Sequence, residues 1–177
     1  NNKYGVFEIG MDRKGEINIL SQIVRPEIAV ITNVSGAHFK NFKTLKDIAK
    51  AKSEIIDNIS IGGSIVLNKE DQFYSFFTKK AKKKGVNIIS FSSKKKANIF
   101  LLKVKKIKNI YRLSIIVNND KFYFNIFHIN ENFLNNILAC ISVLSKLNLN
   151  LNKIENIFKT FTVPDGRGDI KIVKNFK

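Results

Sequence analysis

A doubly wound, mostly parallel α/β sheet with a small antiparallel sheet appended is the fold class this sequence predicts. Three observations carry it. Short β-branched runs alternate with amphipathic segments through the first two thirds of the chain, the order that places crossover helices between parallel strands. Those runs are almost continuously apolar, as strands covered on both faces are. Beyond residue 96 the pattern becomes three strand-length runs joined by short polar turns, which reads as antiparallel pairing.

Tyr4 to Ile9 is an apolar run ended by Gly10 and predicts a buried strand. Gly15 to Val24 carries Ile17, Ile19, Leu20 and Ile23 at helical spacing and stops before Pro26. Glu27 to Val34 predicts a second strand, and Thr44 to Ile59 a helix with Thr44 as N-cap and Asp47 completing a near capping box. Ser64 to Asn68 follows a Gly62-Gly63 turn as a third strand. Gln72 to Lys84 is a helix closed by Gly85, and Asn87 to Phe91 a fourth strand. Ala97 to Lys106, Tyr111 to Asn118 and Lys121 to His128 predict the antiparallel strands, with Asn119-Asp120 as a hairpin turn. Helices over Glu131 to Leu147 and Leu151 to Phe161 follow, then a Pro-Asp-Gly-Arg-Gly loop and an extended piece from Ile170 to Val173.

Composition bounds the function classes. With 177 residues, 44% hydrophobic and 25% charged, the chain buries a core and is not a disordered tail. Two prolines and nine glycines exclude collagen-like material, and the single cysteine, Cys140, excludes a disulfide framework. No apolar run is long enough to span a membrane, so no membrane insertion is expected. The start at Asn1 shows neither an initiator Met nor a signal-peptide pattern and reads as a chain cut in mid-stream. The net charge of +17 points toward anionic partners. It comes almost wholly from lysine, with arginine only at positions 13, 25, 112 and 167. The runs Lys79–Lys84 and Lys94–Lys96 sit at a helix end and in a loop, without interleaved aromatics, and read as solvated surface rather than a nucleic-acid face.

In open α/β sheets, ligands bind beyond the carboxyl ends of the strands. The first predicted strand ends with Glu8 inside an apolar run, where a carboxylate needs a cation, either a lysine or a metal. The second ends in Thr32 to His38, placing a histidine in a Gly-containing turn as a loop residue or a ligand. On the next helix the stripe Leu45, Ile48, Ala49, 52, Ile55, Ile56, Ile59 is apolar except at Lys52, while Lys50 can pair with Glu54. An inward lysine must snorkel, find an anion or lose its proton, and a neutral lysine is open to carbamylation into an anionic oxygen donor suited to Mg²⁺.

The segments FEIGMDRKGEI, RPEIAVITNVSGAHFKNFKTLKDIAKAKSEI and GGSIVLNKEDQFY resemble, in order, the central domain of the Mur ligases, most closely its MurF branch. The resemblance runs from Phe7 to about Phe91 and includes a histidine fourteen positions before the lysine. It implies that Glu8 and His38 ligate Mg²⁺ and that Lys52 is carbamylated and supports it. ENFLNNILA is similar to the family's adenine-contacting segment, which implies that role for Asn136, although Asn132 and Phe133 replace the family's His and first Asn. Gly166-Arg167-Gly168 implies a nucleotide contact for Arg167, whereas His128 and Cys140 match nothing and read as structural.

The resemblance further implies an ATP-dependent amide ligase adding D-alanyl-D-alanine to UDP-N-acetylmuramoyl-tripeptide through an acyl phosphate. It also implies a bacterial cytoplasmic location, a monomer when full length, and no nucleic-acid partner. No G-x-x-x-x-G-K-[ST] loop occurs in these residues, so the expectation is a fragment without activity alone. In this reading, residues 1–168 are a central ATP-binding domain lacking its phosphate loop, and 169–177 lead into a missing C-terminal domain. Other readings are a further ligase of the superfamily (MurE, folylpolyglutamate synthetase, cyanophycin synthetase), a basic nucleic-acid-binding module and a non-catalytic paralogue.

Overall fold

The computed structural model describes residues 3–36 and 41–161. Its elements run α1 (Glu16–Val24), β1 (Ile28–Ile31), α2 (Leu45–Lys52), a 3₁₀ turn (Ser53–Asn58), β2 (Ser64–Asn68), α3 (Tyr74–Lys83), β3 (Asn87–Ser92), β4 (Ile99–Ile107), β5 (Ile110–Val117), β6 (Asp120–Ile126) and α4 (Glu131–Lys146). Two further 3₁₀ turns, Leu151–Ile154 and Ile157–Thr160, follow.

All six strands form one sheet in the order β1-β2-β3-β4-β5-β6. The first four are parallel, β4 meeting β3 only at Phe91↔Ile99 and Ser92↔Phe100. β4, β5 and β6 are antiparallel. The appended sheet is therefore a continuation of the parallel one. Side-chain alternation across β2 explains its unbroken apolar run: Val66 points into the core under α4, while Ile65 and Leu67 join Ile48, Ile56 and Phe77 on the other face. β1 lies at the sheet edge beyond α4, and its Val30 is exposed while Ala29 and Ile31 are buried.

Local chemistry sets most boundaries. Thr44 Oγ1 accepts the Asp47 N–H at 3.1 Å and caps α2. Gly85, at φ 68°, supplies the left-handed residue that ends the α3 segment. Among the basic run, Lys80 is tied to Ser53 O at 2.8 Å and Asp57 at 2.6 Å, while Lys79, Lys82, Lys83 and Lys84 are exposed.

Five expectations need correction. Residues 4–10 form no strand: the segment pairs with nothing among the described residues, and Val6 is 97% exposed. A run of apolar residues makes a strand only where another strand accepts its hydrogen bonds. β1 is shorter than Glu27–Val34 because the Val34 N–H bonds the Asp71 carboxylate at 2.8 Å instead of a ladder partner. The helix from Thr44 tightens to 3₁₀ at Ser53, whose hydroxyl donates back to Lys50 O at 2.6 Å. The hairpin turn is Asn118-Asn119, at φ 49° and 84°, with Asp120 already paired to Val117. The segment after α4 forms two 3₁₀ turns rather than a helix, and there Asn150 Oδ1 accepts the Asn152 N–H at 3.1 Å. The Pro-Asp-Gly-Arg-Gly loop and the Ile170–Val173 piece lie outside the described residues.

Candidate functional site

The carboxyl ends of β1, β2 and β3 point the same way, the side on which open α/β sheets bind their ligands. Lys52 is the last residue of α2, on the face that buries Ile48, Ala49 and Ile56, and is itself half-buried. Burial pushes its ammonium below the ordinary lysine range, and the Asp71 carboxylate pulls it partly back. No carboxylate among the described residues forms an ion pair with it. Among the described residues the inward lysine is therefore partly shielded from solvent and has no direct ion pair.

Asp71 and its neighbour Glu70 were not singled out from the sequence. Asp71 Oδ1 accepts the Phe73 N–H and Oδ2 the Val34 N–H, each at 2.8 Å, so one carboxylate joins the loop after β2 to the loop after β1. Glu70 accepts the Ser92 hydroxyl at 2.7 Å and the Lys94 N–H at 3.0 Å, joining the same turn to the loop after β3. Burial raises the Glu70 carboxyl, but these hydrogen bonds outweigh it and hold the group below its ordinary value. Two acidic residues directly after a buried parallel strand, Asn68-Lys69-Glu70-Asp71, were the available signal.

Glu8 lies in the coil before α1, exposed, with no hydrogen bond or ion pair to the described residues. His38 and Arg167 lie outside the described residues. Asn136 is exposed on the second turn of α4, with the neighbouring Asn135 Oδ1 buried and unpartnered among the described residues. Phe133 packs against Phe161 at 6.4 Å. His128 and Cys140 are both exposed. Lys50 pairs with Asp47 at 3.7 Å rather than with Glu54, which instead caps α1 through Gly15 N (2.9 and 3.1 Å) and Asn18 N (3.1 Å). A polar cleft of about 460 Å³ between Lys69, Ser90, Lys96 and Asn118 lies at the edge of β3 and includes none of these candidates.

The donor chemistry suits Mg²⁺, which takes hard oxygen ligands and keeps several waters. Glu8 offers a carboxylate with no partner among the described residues, and Lys52 a partly desolvated amine that can be converted to an oxygen donor. Among the described residues no three His, Cys, Asp or Glu side chains form a metal cluster by themselves.

A parallel half-sheet with crossover helices, one carrying an inward lysine, defines an α/β domain of the class that binds ligands beyond its strand carboxyl ends. The Mur ligase middle domain profile matches residues 1–144, and the chain belongs to that family. It is 44% identical over 89 residues to the UDP-N-acetylmuramoyl-tripeptide–D-alanyl-D-alanine ligase of Borreliella burgdorferi, a match covering 50% of this chain and 18% of that protein. The aligned half of the chain therefore spans less than a fifth of that relative's length. Its fold matches MurF from Acinetobacter baumannii with a TM-score of 0.79 at 24% identity, over 89% of this chain and 34% of that one. MurF from Thermotoga maritima, solved in complex with ADP, matches with a TM-score of 0.76 at 24% identity, over 92% of this chain and 38% of that one. At that identity these structures establish the fold.

Proposed function

We propose that this chain is the central part of a MurF-type ligase, which uses ATP to join D-alanyl-D-alanine to UDP-N-acetylmuramoyl-tripeptide. The observation that carries it is the half-buried Lys52 at the end of α2, without an ion pair among the described residues, in a chain with 44% identity to such a ligase over 89 residues. In this reading residues 1–168 belong to the ATP-binding domain and 169–177 lead toward a C-terminal domain. The whole protein acts as a monomer in the bacterial cytoplasm, without a nucleic-acid partner. No helix of the described residues is long and apolar enough to cross a membrane.

Glu8, His38 and Lys52 hold Mg²⁺ in this reading. Lys52 does so as a carbamate: its neutral amine attacks carbon dioxide, a nitrogen–carbon bond forms and one proton leaves. Burial of Lys52 favours the neutral amine this step needs. When bound, Mg²⁺ neutralises charge so that a carboxylate can approach a triphosphate. The substrate carboxylate then attacks the γ-phosphate, ADP leaves, and the incoming amine displaces phosphate from the acyl phosphate. In this reading Asn136, exposed on α4, contacts the adenine, and Arg167 contacts phosphate or ribose. Positioning and charge neutralisation supply most of the rate in such chemistry.

The test is phosphate release by the intact protein carrying this chain, with UDP-N-acetylmuramoyl-tripeptide and a panel of amines. Release that requires D-alanyl-D-alanine supports the MurF reading; release with diaminopimelate, lysine or glutamate instead assigns another branch of the superfamily. The 177-residue chain alone, which contains no phosphate loop, is expected to show no Mg²⁺-dependent ATP turnover.

A further inference from the structure

We propose that the outer face of the antiparallel half-sheet, with Lys103, Lys105 and Lys121 around Tyr123, docks the protein on an anionic lipid surface, where it adsorbs without inserting. The strand register assigns the side chains to this face. Leu113, Ile115, Val117, Phe124 and Ile126 are buried beneath α4, so the residues that alternate with them point away from it. On β6 these are Lys121, Tyr123 and Asn125, and on β5 Arg112 and Ser114, whose partners on β4 are Lys105 and Lys103. Lys103, Lys105, Lys121 and Tyr123 are exposed, and the three lysines have no ion pair among the described residues. The three strands contain a single acidic residue, Asp120, and it stands opposite the core-facing Val117. The Glu155 carboxylate, which reaches this face from beyond β6, is taken by Arg112 at 2.6 Å and Asn125 at 2.9 Å. The face therefore presents uncompensated positive charge to an anionic partner.

Two features favour lipid over nucleic acid. Aliphatic side chains stand exposed among the cations: Leu102, at the bulge in β4, is 53% exposed, and Ile107, two residues past Lys105, is 41% exposed. Lysines interspersed with aliphatics and a tyrosine suit the headgroup boundary, where the ammonium meets phosphate while the stem and apolar neighbours meet the upper acyl chains. The Tyr123 ring, meanwhile, has the Arg112 guanidinium at 5.4 Å and the Lys121 ammonium at 5.5 Å from its centroid. A single ring engaged by two cations is a poor platform for stacking bases. Each basic residue close to an anionic bilayer raises partitioning about fivefold, so the three lysines together supply about 100-fold.

The experiment sediments the intact protein with vesicles of phosphatidylcholine alone and of phosphatidylcholine mixed with phosphatidylglycerol. Binding is expected only to the mixed vesicles and should fall as salt is raised. The triple variant Lys103→Gln, Lys105→Gln, Lys121→Gln changes exposed side chains only and is expected to lower partitioning about 100-fold. Lys79→Gln, Lys82→Gln, Lys83→Gln removes the same charge from exposed positions on α3 and is expected to bind nearly as wild type does. Leu102→Gln with Ile107→Gln should weaken binding while leaving the charge unchanged. No binding to the mixed vesicles, or an equal loss in both lysine triples, overturns the proposal. So does a single-stranded oligonucleotide that displaces the protein from vesicles and itself loses affinity in the Lys103, Lys105, Lys121 variant, which assigns the face to nucleic acid. Vesicle binding is read without ATP, metal or substrate, so its failure leaves the ligase reading as it stands.

Discussion

Replacing Glu54 by alanine removes the N-terminal cap of α1 from a residue 36 to 39 positions away in sequence. Gly15, the N-cap residue of α1, supplies no side-chain cap, so the Glu54 carboxylate takes the Gly15 and Asn18 N–H groups at 2.9–3.1 Å. A net gain of about 1.5–3 kcal/mol is usual for hydrogen bonds to a charged group, and an anion at a helix N-terminus adds about 0.3–1 kcal/mol. Glu54→Ala is therefore expected to cost about 2–4 kcal/mol, a fall of roughly 4–15 °C in Tm for a chain of this size. Glu54→Gln retains one acceptor oxygen and should lose about half as much. Urea unfolding followed by far-ultraviolet circular dichroism at neutral pH reads both, with an unchanged m-value showing that the same surface unfolds. A loss under about 0.5 kcal/mol, equal for both variants, would refute the capping role.

Gly63→Ala places a Cβ 2.7 Å from Glu27 O and Ser60 O and 2.5 Å from Ile59 Cγ2, inside a turn held by main-chain bonds. Thermal unfolding should show a loss of about 1–3 kcal/mol. Phe124→Ala, which empties a fully buried position stacked edge-on to Phe158 at 5.7 Å, should cost about 3–5 kcal/mol in urea. Glu70 has a folded pKa below its ordinary 4.5, so its stabilisation is present above that value and fades as pH falls through the lower folded one. Glu70→Gln should accordingly reduce stability at neutral pH and flatten the acid-side decline measured by calorimetry. Lys52→Met removes a partly desolvated ammonium and is expected to leave the thermal midpoint unchanged or raised while abolishing Mg²⁺ binding.

What could be read from the sequence was whatever short-range chemistry decides. β2 appears at its expected bounds because a β-branched run sits between Gly62-Gly63 and Asn68 and is buried on both faces. Thr44 caps α2 as expected because its partner Asp47 is three residues away. The residues 4–10 show the limit: their apolar character is legible, but pairing depends on another strand, and the described structure brings none to them. Lys52 was legible as an inward polar residue because helical spacing alone places it on the buried face. Asp71 was not, since its significance depends on Val34, which only the parallel register of β1 and β2 brings near. Glu54 was assigned to Lys50 by helical spacing. That spacing fails once the helix tightens at Ser53 and the carboxylate turns to α1.

Lys52 is the residue on which the functional reading turns, and its chemical state can be observed directly. The intact protein, equilibrated with ¹³C-labelled bicarbonate and Mg²⁺, should show a carbamate carbonyl resonance in its ¹³C spectrum that disappears in Lys52→Met and persists in Lys50→Met. A spectrum without that resonance, or one in which both variants retain it, would contradict a Mg²⁺ site built on Lys52.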